Sequence, residues 1–193
     1  MTTTAANATP AMNYVASLGE NIVQSSGWRR RALACVSGAM GALALPPYSL
    51  VALMVAPMTI AVWLIDGSSA RAQARPLAAG LRAAFGAGWW MGLGYFLCGL
   101  WWIGSAFLVD AEKFAWALPL GVIALPASLA VFPALGFALA RLLWTSGPVR
   151  IFALAFGLGA SEWARGLVLT GFPWNDIGTV SYTHLTLPTI YSV

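Results

Sequence analysis

Charge is confined to a few short segments of this chain, and the apolar runs between them are too long for a soluble core. Ten Lys and Arg and six Asp and Glu are spread over 193 residues, so 8% of the chain is charged while 60% is hydrophobic. A soluble domain carries roughly 25% charged residues. A chain of this size with so few has too little polar surface to face water. A soluble globular enzyme, a disordered chain and a nucleic-acid-binding module are thereby excluded. The small excess of basic residues is sparse rather than clustered into a patch, so no nucleic-acid partner is expected. In lipid the backbone must satisfy its own hydrogen bonds, which a helix does within one segment. The fold class these runs define is all-α: a polytopic helical membrane protein.

A helix needs about 20 apolar residues to cross a hydrocarbon core of ~30 Å. The runs predict about five transmembrane helices, near 30–45, 50–65, 77–102, 114–143 and 151–169. The first opens at Arg29-Arg30-Arg31 and stops at Pro46-Pro47. The second contains Pro57, expected to kink it. Asp66 to Arg75 reads as a polar loop, after which Pro76 restarts a helix. Leu77 to Val109 is apolar except for Arg82. As one helix it would measure ~50 Å at about 1.5 Å per residue, so its membrane part should end near Trp101-Trp102, with the remainder along the outer surface. Asp110, Glu112 and Lys113 mark the next loop. In the fourth run Pro119, Pro126 and Pro133 recur every seven residues, a spacing that places them on one helix face.

Residues 1–27 are expected to be a polar cytoplasmic leader, with an amphipathic turn or two around Tyr14 to Val23. They carry no Lys or Arg before a hydrophobic core and so do not resemble a cleavable signal peptide. Residues 28–180 form the transmembrane domain. Residues 181–193 are Thr-rich and uncharged, and are expected to be a sequence artefact outside the fold; His184 within them is given no role.

The arginines set the orientation. With the N-terminus in the cytoplasm, the inner segments hold Arg29, Arg30, Arg31, Arg71, Arg75, Arg82, Arg141 and Arg150, and the outer loops hold Lys113 alone. That asymmetry favours an odd number of crossings and places everything after Leu169 outside. Trp28 and Trp144 would then mark the inner interface, and Trp101, Trp102 and Trp116 the outer one. Gly80, Ala84, Gly88 and Gly92 form a stripe of small residues that lets another helix approach closely. It is expected to pack within the chain rather than to form a dimer seam, and the oligomeric state is left open. Cys35 and Cys98 lie in apolar runs and are expected to be structural. No cofactor and no metal site is expected.

Glu162 and Arg165 are opposed charges within the fifth run. Three residues apart, they share a helix face and can pair. Either charge alone at mid-bilayer costs about 2.5–3.5 kcal/mol. Arg165 lies ~22 Å along the helix from Arg150, in the outer half of the core. The pair is either a packing salt bridge or the polar rim of an outward-facing cavity, where Arg165 meets a lipid phosphate. Next comes Thr170-Gly171-Phe172-Pro173-Trp174-Asn175. Phe172 and Trp174 suit the headgroup level, as an interfacial anchor or, with Asn175, as a lipid-binding rim.

Three segments together resemble a known family: Leu43-Ala44-Leu45-Pro46-Pro47-Tyr48-Ser49; Gly88-Trp89-Trp90-Met91-Gly92-Leu93-Gly94-Tyr95-Phe96; and Glu162-Trp163-Ala164-Arg165-Gly166 followed by Leu169-Thr170-Gly171-Phe172-Pro173-Trp174-Asn175. They look like the N-terminal membrane portion of the bacterial apolipoprotein N-acyltransferases, over about Arg29 to Gly178. The last segment is the most specific. The resemblance implies an enzyme of the bacterial inner membrane. Such an enzyme moves an acyl chain from a phospholipid to the free amino group of the diacylglyceryl-cysteine at a lipoprotein's N-terminus, through a thioester on a catalytic Cys. It further implies that the catalytic Glu, Lys and Cys belong to a periplasmic nitrilase-like domain that follows these spans. No Cys follows Cys98, and Lys113 is the single lysine. No catalytic residue is therefore assigned here, and the fragment alone is expected to be inactive and poorly stable. Trp174 is the candidate substrate contact, with Phe172 and Asn175 beside it and Glu162 and Arg165 in support. The implied partners are a phospholipid acyl donor, an apolipoprotein acceptor and membrane lipid. A small transporter or channel, which would need a polar path at the midplane, and a non-catalytic membrane scaffold are the alternatives.

Overall fold

The computed structural model describes residues 10–72 and 77–168, and every regular element within them is helical. In chain order these are α1 (Pro10–Gln24), α2 (Gly27–Ala42), α3 (Val55–Ala72, entered through a 3-10 turn at Val51–Met54), α4 (Leu77–Gly99), α5 (Ile103–Leu108), α6 (Ala111–Phe114), α7 (Leu125–Leu129), α8 (Val131–Leu142) and α9 (Arg150–Leu167). The helices α2, α4, α8 and α9 pack side by side in that order, α3 leans on α2 and α4, and α1 lies on α3.

Small residues hold these neighbours together. A Cβ on Gly38 of α2 would fall 1.8 Å from the Met91 carbonyl oxygen of α4, and one on Gly94 of α4 would fall 1.9 Å from the Cys35 carbonyl oxygen. The two backbones therefore touch at reciprocal glycines. On the stripe predicted in α4, Gly88 and Gly92 meet Pro133, Ala130 and Phe137. Between α8 and α9, Gly136 and Gly157 face each other's carbonyls. The stripe thus packs within the chain, as expected. The outward surface is the reverse of a soluble protein's. Phe152, Phe156 and Trp163 of α9 are exposed while Gly157, Ser161 and Arg165 are buried. In lipid, packing between helices comes from close approach rather than from burying large apolar groups.

Two stretches, Val51–Ser69 and Ala111–Leu142, are long and apolar enough to cross a bilayer. They overlap the second and fourth predicted spans, and α2, α4 and α9 overlap the others.

Several boundaries differ from the sequence expectation. The N-terminal segment forms a full 15-residue helix, not a turn or two, because Gly19 and Val23 pack on Trp63 and Gly67 of α3. Asp66 is not in a loop: α3 runs on to Ala72, and the hydroxyl of Ser68, wholly buried, donates to the Ile65 carbonyl at 2.6 Å. Pro57 lies in the first turn of α winding, just after the 3-10 turn at Val51–Met54, rather than in mid-helix. The three prolines do not share a face: Pro126 and Pro133 are buried and Pro119 is exposed. A π-helical turn at Leu120–Ala124 shifts the helical phase between Pro119 and Pro126. Asp110, Glu112 and Lys113 sit at the short helix α6, with Lys113 paired to Asp110 at 3.0 Å on the surface. After α4 the chain turns at Leu100–Trp102, and Phe107 of α5 folds back onto Gly121.

Candidate functional site

The two ends of the bundle differ in chemistry. At one end α2 begins, α3 finishes, α4 begins, α8 finishes and α9 begins. Each of α2, α4, α8 and α9 carries arginine there. The Arg30 guanidinium, itself buried, donates from Nη2 to the Leu64 carbonyl at 2.5 Å. Asp66 accepts from the Trp144 indole at 3.0 Å and from Arg150 Nη1 at 2.7 Å. Of the residues given to the cytoplasmic side by charge counting, Arg30, Arg31 and Arg82 line one pocket and Arg150 pairs with Asp66, while Arg75 lies outside the described residues. The part played by Asp66 was missed because its neighbours Gly67, Ser68 and Ser69 have the composition of a loop.

At the other end stands the ion pair. The buried face of α9 runs through Leu154, Leu158, Ser161 and Arg165 at helical spacing, so Arg165 continues an inward stripe. Its side chain has no solvent exposure, and its Nη2 lies 2.6 Å from Oε2 of Glu162, whose side chain is 19% exposed. The guanidinium carbon stands 5.3 Å from the centre of the Phe96 ring on α4. Phe96 is itself buried and meets Tyr95 edge-on. A cation over an aromatic face and against a carboxylate is held in one orientation. Tyr95 and Phe96 close the second of the three sequence segments, and nothing in their spacing indicated that they support Arg165.

Glu162 also reaches the centre of the bundle. An apolar cavity of about 430 Å³ including its mouth lies among α2, α3, α4, α8 and α9, lined by Gly41, Met54, Pro57, Met91 and Phe137 with Glu162 as its charged member. Met54, Met58 and Leu158 are shared with an apolar groove between α3 and α9 that opens sideways at the surface. Glu162 and Arg165 are thus brought together at an apolar cavity. Phe172, Trp174 and Asn175 lie outside the described residues, as does the segment 181–193. Among the described residues no cluster of His, Cys, Asp or Glu is arranged to hold a metal. Cys35 and Cys98 are free thiols, half-buried and exposed.

An all-helical bundle with outward-facing aromatic residues, two stretches able to cross a bilayer and an inward ion pair is consistent with a membrane location. The chain belongs to the apolipoprotein N-acyltransferase family: the model of that family's N-terminal domain matches residues 37–193. The matched range includes 181–193, the segment set apart above as an artefact. Among curated relatives, the apolipoprotein N-acyltransferase of Brucella suis is 52% identical over 164 residues, which is 85% of this chain and 31% of the relative. That of Allorhizobium ampelinum is 52% identical over 161 residues, 83% of this chain and 30% of the relative. That of Rhodopseudomonas palustris is 49% identical over 176 residues, 91% of this chain and 32% of the relative. The chain therefore spans about a third of the length of the relatives it matches. No solved structure matches it. The chain is the N-terminal, membrane portion of an apolipoprotein N-acyltransferase.

Proposed function

We propose that this chain is the bilayer-embedded scaffold of an enzyme that takes an acyl chain from a phospholipid and transfers it to the N-terminal diacylglyceryl-cysteine of a lipoprotein. The catalytic thiol is supplied by a following domain. The observation that carries this reading is the family match across α9, in which Glu162 and Arg165 form a fixed pair at the edge of an apolar cavity. An acyl chain fits the chemistry of the α3–α9 groove, which is apolar and opens sideways, where lipid would lie. The guanidinium is anchored by Glu162 and Phe96 and so fixes the end of α9, just before the next segment of the sequence. That segment contains Phe172, Trp174 and Asn175, which we take as substrate contacts at the outer face.

The topology belongs to the same proposal. Helices α2, α3, α4, the broken stretch 111–142 and α9 are five crossings of the bacterial inner membrane, with the N-terminus and the arginine-rich end in the cytoplasm. The crossing α2, with 16 residues, spans ~24 Å. It is short for the core even with Trp28 and Arg29, which suit the inner interface, counted within it. Residues 1–27 lie on the cytoplasmic side, with α1 along the surface.

Two measurements test this. In a Cys35→Ala, Cys98→Ala background, Asn175→Cys should react with a membrane-impermeant maleimide from the periplasmic side; reaction only from the cytosol would refute the topology. The full gene, expressed in cells depleted of lipoprotein N-acylation, should restore the third acyl chain on lipoprotein N-terminal peptides analysed by mass spectrometry. Trp174→Ala should lower that fraction at equal membrane abundance. Failure of the unsubstituted gene would overturn the activity, and an unaltered fraction in Trp174→Ala would overturn the contact.

A further inference from the structure

At the arginine-rich end, a surface pocket of about 630 Å³ including its mouth lies between the start of α2 and the second to fourth turns of α4. Three guanidinium-bearing residues line it, Arg30 and Arg31 from α2 and Arg82 from α4, over a floor of Gly86, Ala87 and the half-buried Trp90. No acidic residue lines it. Glu20 and Asp66 line a separate groove with Arg150.

The charge here runs against helix electrostatics. The N-terminal end of a helix carries partial positive charge and favours acidic side chains. The first turn of α2 has none, its cap Ser26 makes no side-chain hydrogen bond to the helix, and its opening residues are Arg29, Arg30 and Arg31. The first turn of α4 also has no acidic residue. Arg30 is 7% exposed, and its guanidinium is fixed in place by the Leu64 carbonyl. Gly67 leaves room for it: a Cβ there would come within 3.0 Å of Arg30 Nη1. Positive charge is therefore concentrated at the start of α2 and beside it in the second turn of α4, and held partly out of water, which is the arrangement that a bound oxyanion stabilises.

We propose that this pocket binds the phosphate of an anionic phospholipid headgroup, with Arg30, Arg31 and Arg82 on the oxyanion and the lipid's glycerol region against Trp90. Basic pockets between membrane helices recognise anionic headgroups in this way. The site is distinct from the Glu162–Arg165 pair, which lies at the opposite end of the bundle. Placing it in the cytoplasmic leaflet rests on the topology proposed above; its headgroup selectivity does not.

The test uses the full-length protein in phosphatidylcholine mixed micelles, titrated with phosphatidylglycerol and, separately, with inorganic phosphate, and read by native mass spectrometry and by thermal midpoint. Phosphatidylglycerol should bind and raise the midpoint. Arg31→Gln/Arg82→Gln should weaken its binding roughly tenfold to thirtyfold, at about one factor of five per charge. Arg29→Gln removes a charge from the same turn but not from the pocket, and should bind as the parent does. Gly86→Leu fills the floor without changing charge and should also weaken binding. Saturation by inorganic phosphate alone, with the same dependence on Arg31 and Arg82, would support the oxyanion site and assign it to the free ion. Equal phosphatidylglycerol binding by the parent and the double variant, or an equal loss in Arg29→Gln, would overturn the site. Neither result bears on acyl transfer, which does not use these residues.

Discussion

Glu162→Gln isolates the energetics of the ion pair. Glutamine keeps the shape of the side chain and an acceptor oxygen, but it leaves the Arg165 guanidinium charged and wholly buried. Removing one partner of a buried pair costs about 3–5 kcal/mol, because the remaining charge is uncompensated. Glu162 is 19% exposed, so some solvent reaches the pair, and the lower end of that range, about 3 kcal/mol, is expected. Arg165→Met should cost less, since the carboxylate left behind is partly exposed whereas the guanidinium is not. It also gives up the contact with Phe96, worth about 0.5–2 kcal/mol. The double variant Glu162→Gln/Arg165→Met leaves no charge and should be more stable than Glu162→Gln alone. Equilibrium unfolding in mixed micelles, followed by the helical circular dichroism signal, gives the full cycle. A coupling energy of about 2 kcal/mol is expected; additivity within about 0.5 kcal/mol would refute the pairing as the reason for Arg165's burial.

Gly94→Ala should lower stability by at least about 2 kcal/mol in the same assay, since its Cβ would fall 1.9 Å from the Cys35 carbonyl oxygen and force α2 from α4. Gly159→Ala, with nothing within 4 Å, should instead be neutral or stabilising by up to about 1 kcal/mol; a large loss there would show that α9 packs on its other face. Asp66→Asn keeps an acceptor for the Trp144 indole but removes the charge facing Arg150, whose side chain is 35% exposed. After screening, a loss of about 0.5–1 kcal/mol that shrinks with added salt is expected, and a loss independent of salt would mean that the hydrogen bond, not the charge, is what Asp66 provides. Phe96→Leu should cost more in the parent than in Arg165→Met, because the ring contributes through the cation above it as well as through packing; equal costs would deny the ring that role.

The sequence pattern located most of the helices and the residues of the pair, for separable physical reasons. Long apolar runs and sparse arginines follow directly from the chemistry of the bilayer, so the helices fell close to where the runs predicted them. The i, i+3 spacing of Glu162 and Arg165 sufficed to bring them together because α9 is regular there. What the pattern did not disclose depends on neighbours distant in sequence. Asp66 is helical because Trp144 and Arg150, far along the chain, supply its partners. Pro119 leaves the face of Pro126 and Pro133 because a turn of π winding intervenes, and no spacing rule anticipates a change of pitch. Arg165's aromatic support comes from α4, a helix chosen by packing and not by periodicity.

That choice makes α4 the element on which the two ends of the molecule depend. Its Gly94 fixes the distance to α2, and its Gly88 and Gly92 fix the distance to α8. Its first two turns present Arg82 to the basic pocket, and its last turns present Phe96 to Arg165. Between lipid tails a larger side chain gains no burial energy over a smaller one, so Gly is favoured wherever two helices must meet closely. Three such contacts leave α4 little freedom to rotate about its axis. A rotation of one residue, about 100°, would carry Phe96 away from the guanidinium and Arg82 away from Arg30 together. The glycines of α4 therefore do more than join neighbours: they set the phase that places an aromatic ring under the buried arginine at one end and a third cation in the basic pocket at the other.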